Sequence, residues 1–460
     1  MEKVEVVKIL NEQKAYFETG ATRSYLFRKQ NLQKLLKALS DFEKEILAAL
    51  KADLSKHEME AYASEIGLLK GEIKHTLQHL AEWMETEYVP TPIFHWPAGS
   101  FIQKDPLGVV LIIGPWNYPF MLLIGPLISV LAAGNCACIK PSNQAPKTAL
   151  VTEKLIRSIF PEELVSVVQG SGASVGPELI QKFRFDHIFF TGSVEIGKQI
   201  MRMAADELVP VTLELGGKSP CVIDENIPFK IAAKRVVWSK FWNAGQTCVG
   251  PDYLLLNENI ADAFIAELIN EVRILFGENP EKCESYGRII NDKRFERLIT
   301  FLKEGKILCG GTHHQATRYI APTLLDNLES NAAIMQEEVF GPILPIFRYK
   351  TNEEALSFIK KHPFPLSFYL YTKNKKTEKF FLQNLQFGGG GINLALGHLA
   401  NPYLPFGGVG YSGMGNYHGK YGFDTFTHRK SMMKTPFFPD IILRYQPFKN
   451  KIKWTKWFMG

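Results

Sequence analysis

Apolar residues in the first ~85 positions recur at helical spacing. Phe27, Leu32, Leu35, Leu36, Leu39, Phe42, Ile46, Leu47 and Leu50 follow a 3.6-residue period, which predicts an amphipathic helix facing a core. A similar pattern over 59–83 predicts a second helix. Residues 89–106 (VPTPIFHWPAGSFIQKDP) hold four prolines and predict a linker with an excursion of short strands. The pattern then changes. Apolar runs of strand length occur at 109–113, 137–140, 165–168, 187–190 and 211–215, with helical patterns between them at 120–133, 144–160, 177–182 and 194–207. Continuous apolar runs suit strands buried on both faces, and strand–helix alternation predicts a parallel sheet covered by helices. From about 213 to about 425 a second α/β region follows, with helical segments at 260–276 and 352–362. There is no internal repeat and no low-complexity segment.

One stretch imitates a membrane span: no charged residue occurs from Pro106 to Ile139. Pro115, Pro119 and Pro126, with Asn117 and Asn135, cut it into pieces shorter than the ~20 residues a spanning helix needs. A buried strand, a sharp turn (GPWNYP) and a buried helix are expected instead. The first twenty residues interrupt their apolar positions with charges and lack the core of a secretory signal, so a cytoplasmic location is expected.

Composition is that of an ordinary globular chain of 460 residues, long enough for about three domains. The net charge of +6 changes the picture only when located. From His428 onward eight basic residues face one acid, so the rest of the chain is close to neutral. A nucleic-acid surface would spread its charge over a domain face, and no nucleic-acid partner is expected. Six cysteines are too few for a disulfide framework. No C-x-x-C or H-E-x-x-H motif points to a metal.

Two glycine-containing turns are candidates for phosphate. QGSGASVG (169–176) follows a strand, but its spacing is one residue too long for G-x-G-x-x-G, and an ordinary loop accounts for it. In HIFFTGSVEIGKQI a strand runs into Gly192 and Ser193 and a helix starts at once, with Gly197 in its first turn. Free N–H groups and the dipole at such a helix start suit an anion. A nucleotide site and a plain Gly-containing turn both remain open there. Among the cysteines, Cys136 and Cys138 read as buried small hydrophobes, whereas Cys248 lies in a polar, glycine-bracketed turn, WNAGQTCVGPDY. A free thiol is only a few per cent thiolate at neutral pH, so a base or backbone donors must activate it.

Five motifs in order carry a resemblance: GPWNYPF at 114–120, TLELGGKSP at 212–220, GQTCVGPDY at 245–253, QEEVFGPILP at 336–345 and LPFGGVGYSGMGNYHGKYGFDTFTHRKS at 404–431. Over about residues 20–445 the chain resembles the NAD(P)-dependent aldehyde dehydrogenases, specifically the class 3 branch that includes fatty aldehyde dehydrogenases. The resemblance implies that Cys248 is the nucleophile, and that Asn117 and the Cys248 N–H hold the oxyanion. Glu214 matches the general base. Glu338 matches the carboxylate at the nicotinamide ribose, in a role that overlaps with the base in this branch. Phe340 matches the aromatic residue near the nicotinamide. Lys140 and Ser142 match adenosine-ribose contacts, and Ser193 a pyrophosphate contact.

Two departures stand out. Relatives commonly have Glu after Lys-Pro-Ser, where it accepts from the ribose hydroxyls. This chain has Asn143, and a neutral amide does not repel a 2′-phosphate, so use of NADP as well as NAD is expected. Leu394 stands where relatives usually have Asp. Tyr118, Trp238, Trp242 and His418 fall where class 3 relatives line the substrate entrance, which implies a hydrophobic aldehyde, aliphatic of medium or long chain or aromatic, although Trp238 and Trp242 also suit a plain helix core.

The resemblance implies an α/β aldehyde dehydrogenase fold with three parts. A Rossmann-type NAD(P)-binding domain takes 1–85 and 107–212, and a catalytic α/β domain takes 213–425. Residues 86–106 and 426–460 form a bridging and oligomerisation element. Such chains typically pair as homodimers. The basic, aromatic tail (KNKIKWTKWFMG) is read as a subunit contact, with a peripheral membrane contact as the alternative. Two rival functions are a dehydrogenase that passes its acyl group to coenzyme A, and a non-catalytic membrane-surface protein on a retired enzyme fold.

Overall fold

The computed structural model describes residues 3–329 and 331–459. The N-terminal part is helical, with Lys3–Glu18, Tyr25–Asp41, Glu43–Leu54 and Leu68–Met84 as its main helices. Their apolar stripes are fully buried at Leu32, Leu35, Leu39, Ile46 and Leu50. The segment 59–83 is helical as expected, but not with one regular period. A short α-helix, Glu58–Ala61, passes into a π-helix, Tyr62–Gly67, before Leu68–Met84 begins. The wider turn buries Ser64, Glu65 and Ile66 in succession, a pattern that a regular 3.6-residue helix does not produce.

The alternating region forms a six-stranded sheet. In spatial order its strands are Gly413–Met414, Val211–Glu214, His187–Thr191, Val109–Ile113, Cys136–Lys140 and Val165–Val167. All neighbours are parallel except the first pair. Four of the strands are buried at every residue, which is why they read as unbroken apolar runs. Chain order reverses between Val109–Ile113 and His187–Thr191, creating the crevice where open α/β sheets bind ligands.

The stretch from Pro106 to Ile139 is strand, turn and buried helix. Met121–Ala133 is buried at all but its first residue and ends at Gly134, whose φ of +87° makes the left-handed cap. Among the described residues no helix is long and apolar enough to cross a membrane.

A second sheet of seven strands carries the rest of the core, in the order Lys306–Cys309, Thr323–Asp326, Ile343–Tyr349, Tyr253–Asn257, Pro220–Ile223, Ser367–Tyr371 and Gly389–Ile392. Only Lys306–Cys309 is antiparallel. The proline-rich segment supplies Glu87–Val89 and Gly99–Pro106, and Thr427–Lys434 pairs with the latter along its full length. These strands form a separate three-stranded antiparallel sheet. Beyond it the tail carries one more helix, Ile452–Met459.

Candidate active site

The backbone before Cys248 is strained. Asn243 (φ +54°), Ala244 (φ +51°) and Gly245 (φ +74°) are left-handed in succession. Gly245 has no substitute, because a Cβ there would lie 2.2 Å from the Gly341 carbonyl oxygen. Non-glycine residues persist in this region only when their surroundings hold them. Here the Asn243 N–H donates to Glu60 Oε1 (2.7 Å), and its side-chain amide donates to the carbonyls of Asn117 (2.8 Å) and Gln246 (3.1 Å). Gln246 in turn donates to the Arg288 carbonyl (3.0 Å) and accepts from the Ile290 N–H (3.0 Å). The loop is thereby fixed with Cys248 half-buried at its end.

Asn117 faces that loop. Its Nδ2 donates to the Gln246 carbonyl at 3.1 Å, which uses one of the two amide protons and leaves the other for a ligand. Its own carbonyl also accepts from Lys56 Nζ at 3.0 Å. Lys56 is fully buried, paired with Glu65, and sits 4.1 Å above the Tyr118 ring. Glu65 accepts from the N–H groups of Phe120 (2.9 Å) and Met121 (3.2 Å). The π-helix thus reaches across to pin the turn bearing Asn117. Tyr118 is tied to Thr247 by a 2.6 Å hydroxyl–hydroxyl hydrogen bond.

Two carboxyls approach the thiol. Glu214 ends its strand with both oxygens buried and no hydrogen-bond partner among the described residues, and burial holds it well above the usual carboxylate range. Glu338 lies against Gly216, where a Cβ would sit 2.0 Å from its Oε2. Burial, reinforced by Asp252, raises its carboxyl to about 8 against the pull of Arg294, Lys218 and Lys240. Asp252 is paired with Lys218 and accepts from the Val339 N–H at 2.8 Å. Arg294 donates to the Glu338 carbonyl at 3.0 Å. Burial first, then Glu338 and Glu214, push the Cys248 thiol up to about 12, while the backbone N–H groups of Val249 and Cys248 pull it down. The sulfur therefore rests as a thiol.

Over Cys248 opens a cavity of about 300 Å³ with walls almost wholly apolar. Tyr118, Trp238, Trp242 and His418, the four residues expected at a substrate entrance, all line it. The two indoles meet edge to face at 5.3 Å. Burial lowers the His418 imidazole to about 4, so it is neutral. Leu394 is exposed and is not part of this wall.

The remaining expected residues gather at the carboxyl ends of the six-stranded sheet. Lys140 ends its strand buried, with Nζ donating to the carbonyls of Pro141 and Gly170, each at 3.1 Å. Ser142 follows half-buried, then Asn143, exposed. Gly192 donates its N–H to the Glu214 carbonyl (3.0 Å), and Ser193 caps the helix Val194–Ala205. Gly197 is buried, and a Cβ there would lie 2.7 Å from Leu215. Its lack of a side chain therefore serves helix–sheet packing. Phe340, at φ +45°, meets Trp116 edge to face at 5.3 Å. Thr191 Oγ1, next to this edge, is buried without a partner among the described residues. A capped helix start, an orphaned hydroxyl and a strand-end lysine around the crevice fit a dinucleotide.

Lys56, Glu60, Glu65 and Asn243, and the buried cations around Glu338, escaped the reading of the sequence. Lys218 and Asp252 lie inside two of the quoted motifs, a signal that could have found them. Asn243 lies in the quoted turn WNAGQTCVGPDY, whereas Lys56, Glu60 and Glu65 carry no local pattern.

A thiol, an amide donor and two carboxyls between a dinucleotide crevice and an apolar cavity define a nicotinamide-dependent oxidoreductase with a cysteine nucleophile. Residues 1–432 match the aldehyde dehydrogenase family, and the chain belongs to it. The chain is 47% identical to the 4,4′-diaponeurosporen-aldehyde dehydrogenase of Staphylococcus aureus (strain NCTC 8325 / PS 47), covering 97% of both. It is 42% identical to aldehyde dehydrogenase family 3 member A2 of Mus musculus, covering 96% of this chain and 92% of that one. The substrate-bound structure of Staphylococcus aureus AldH superposes with a TM-score of 0.97 at 46% identity over the whole of both chains. The protein is thus an aldehyde dehydrogenase of the class 3-like branch, oxidising an aldehyde with a nicotinamide cofactor.

Proposed function

We propose that the chain oxidises hydrophobic aldehydes, aliphatic of medium or long chain or aromatic, to carboxylic acids, with Cys248 as nucleophile. The observation that carries this reading is the apolar cavity whose floor is Cys248 and whose walls offer no charged partner for a substrate. The Cys248 sulfur attacks the carbonyl carbon while its proton passes to the ionised Glu338 carboxylate, giving a thiohemiacetal. The developing oxyanion lies between the free Asn117 amide proton and the Cys248 N–H, donors that are fixed before reaction and need no reorganisation. When bound, the nicotinamide supplies the hydride acceptor for conversion to the thioester. Water then attacks that thioester, a carboxylate takes its proton, and the acid leaves as the thiol is restored.

Lys140, Ser142, Gly192 and Ser193 would hold the cofactor at the sheet's carboxyl edge, with Glu338 and Phe340 toward the nicotinamide. Asn143, exposed beside Ser142, brings no charge against a 2′-phosphate, and we assign the chain use of both NAD and NADP. Glu338 is assigned the proton-accepting step, because three cations oppose the burial that raises its carboxyl to about 8 and keep it ionisable there. Glu214 has no such support. The homodimer is assigned to the three-stranded sheet and the tail.

The test is formation of reduced cofactor across a panel of aldehydes with NAD and with NADP. Activity rising from acetaldehyde to decanal, absent in Cys248→Ala, is the expected result. A preference for charged semialdehydes would overturn the substrate assignment. Asn143→Glu should sharpen discrimination against NADP, and equal discrimination in the two proteins would remove that residue from cofactor choice.

A further inference from the structure

We infer that the substrate tract continues past the Cys248 cavity into a second chamber, which takes the distal hydrocarbon of a long-chain aldehyde. This rests on the reading that the first cavity receives the aldehyde group.

The first cavity, about 300 Å³, is at the small end of ligand pockets, which span about 300–1,000 Å³. A second cavity of about 190 Å³ adjoins it between the helices Leu68–Met84 and Met121–Ala133. Leu68, Met121, Leu399, Ala400, Tyr417 and His418 are walls of both. Leu68, Met121, Leu399 and Ala400 are aliphatic and the rings of Tyr417 and His418 complete the shared wall, a surface along which a hydrocarbon chain can turn from one space to the other.

Two glycines of the second chamber point to a space that is kept open. Gly125 lies inside Met121–Ala133 and Gly71 inside Leu68–Met84, and both line the chamber. Neither has a left-handed φ. A Cβ at Gly125 would make only ordinary contacts, 3.8 Å to the Tyr417 ring and 3.9 Å to Leu69, and a Cβ at Gly71 would meet nothing within 4 Å. Glycine in a helix is disfavoured relative to alanine, so neither backbone geometry nor crowding accounts for these two. What they share is the chamber, which reaches the surface at the exposed Gly71.

The polar wall consists of Glu72 and His418, whose Oε2 and Nδ1 are 3.9 Å apart. Glu72 Oε1 also accepts from the Gly419 N–H at 2.6 Å. Burial raises the Glu72 carboxyl and lowers the His418 imidazole to about 4, and apart from this pair and Tyr417 the chamber is walled by aliphatic side chains, proline and glycine. The ligand class is therefore an uncharged alkyl or polyenyl chain.

Each methylene removed from water is worth roughly fourfold in affinity, so loss of the chamber should be read in the chain-length profile. The experiment measures kcat/KM for saturated aldehydes from hexanal to hexadecanal in the full-length protein and in Gly125→Leu and Gly71→Leu. The proposal expects hexanal to stay within about twofold, while hexadecanal falls on the order of tenfold or more, the equivalent of two or more methylenes expelled. Gly71→Leu meets no neighbouring atom at its Cβ and serves if Gly125→Leu does not fold. An unchanged hexadecanal value in a folded plug variant overturns the chamber. The chain would then leave past Met59 and Trp238, exposed residues that line the first cavity, and Trp238→Ala would become the length-sensitive variant. Absence of hexanal oxidation in the unmodified protein would instead overturn the function proposed above.

Discussion

Cys248 rests as a thiol because burial and two carboxyls outweigh the two backbone N–H groups beside it, so its reactivity depends on what those neighbours do as substrate arrives. Asn117 is the clearest case. Its amide is already oriented by Gln246, and Asn117→Ala removes a preorganised donor without disturbing the carbonyl that Lys56 and Asn243 grip. The expected loss in kcat is about 10²–10³-fold, read by steady-state kinetics beside an unchanged rate of Cys248 alkylation. Glu338 gives the pH dependence. With its carboxyl raised to about 8, it is mostly protonated at neutral pH and accepts a proton only as pH rises. The kcat set by thioester hydrolysis should therefore climb through about pH 8 to a plateau, and Glu338→Gln should lose that limb. A limb that survives in Glu338→Gln and disappears in Glu214→Gln would transfer the base role to Glu214. The chemistry-bearing residues at this scale were legible because they sit in motifs. Their protonation was not, since burial and the surrounding cations come from four separate segments.

At the scale of elements, strands of the parallel sheets were legible because burial on both faces leaves a continuous apolar run, as in Val109–Ile113. The π-helix Tyr62–Gly67 was not, because its wider turn is held by bonds to distant parts of the chain. Those bonds give the element its function. Lys56 and Glu65 are both fully buried, and together they fix the turn 114–120 against the cysteine loop. Removing one partner of a buried ion pair costs about 3–5 kcal/mol because the other charge is stranded. Glu65→Gln alone should therefore be destabilised by about that much in urea unfolding. Lys56→Met combined with Glu65→Gln strands neither member of that pair and should recover most of that loss. It still lacks Lys56, one of the two donors on the Asn117 carbonyl, so kcat should stay low while KM is little changed. A double variant with both stability and kcat restored would reduce the pair to packing.

For the whole molecule, the charge concentrated after His428 marks the part of the chain that is least covered. Thr427–Lys434 is an outer strand of the three-stranded sheet, eight residues long, and a long open edge of this kind readily adds another strand. Met432 and Met433 on it are exposed, as are Phe437, Phe438, Ile442 and Trp454 beyond it. Lys434, Lys449, Lys453 and Lys456 make no ion pair among the described residues. Contiguous exposed aromatic and aliphatic residues mark an interaction surface, and the open edge favours a second copy of the chain, which can add backbone hydrogen bonds as well as apolar cover. The prediction is a dimer by sedimentation equilibrium, with a chain truncated after Thr435 shifted toward monomer. Replacing Phe437 and Phe438 by Ser should weaken association while leaving the Cys248 cavity intact, so hexanal turnover per subunit should change little. A full-length monomer that floats with phosphatidylserine vesicles, and is released from them when the four unpaired lysines are replaced by Gln, would assign the same surface to a membrane. The discriminating variable is salt. Association through apolar surface and backbone pairing should survive 0.5 M NaCl, where the Debye length is below about 8 Å and lysine–lipid attraction is largely screened.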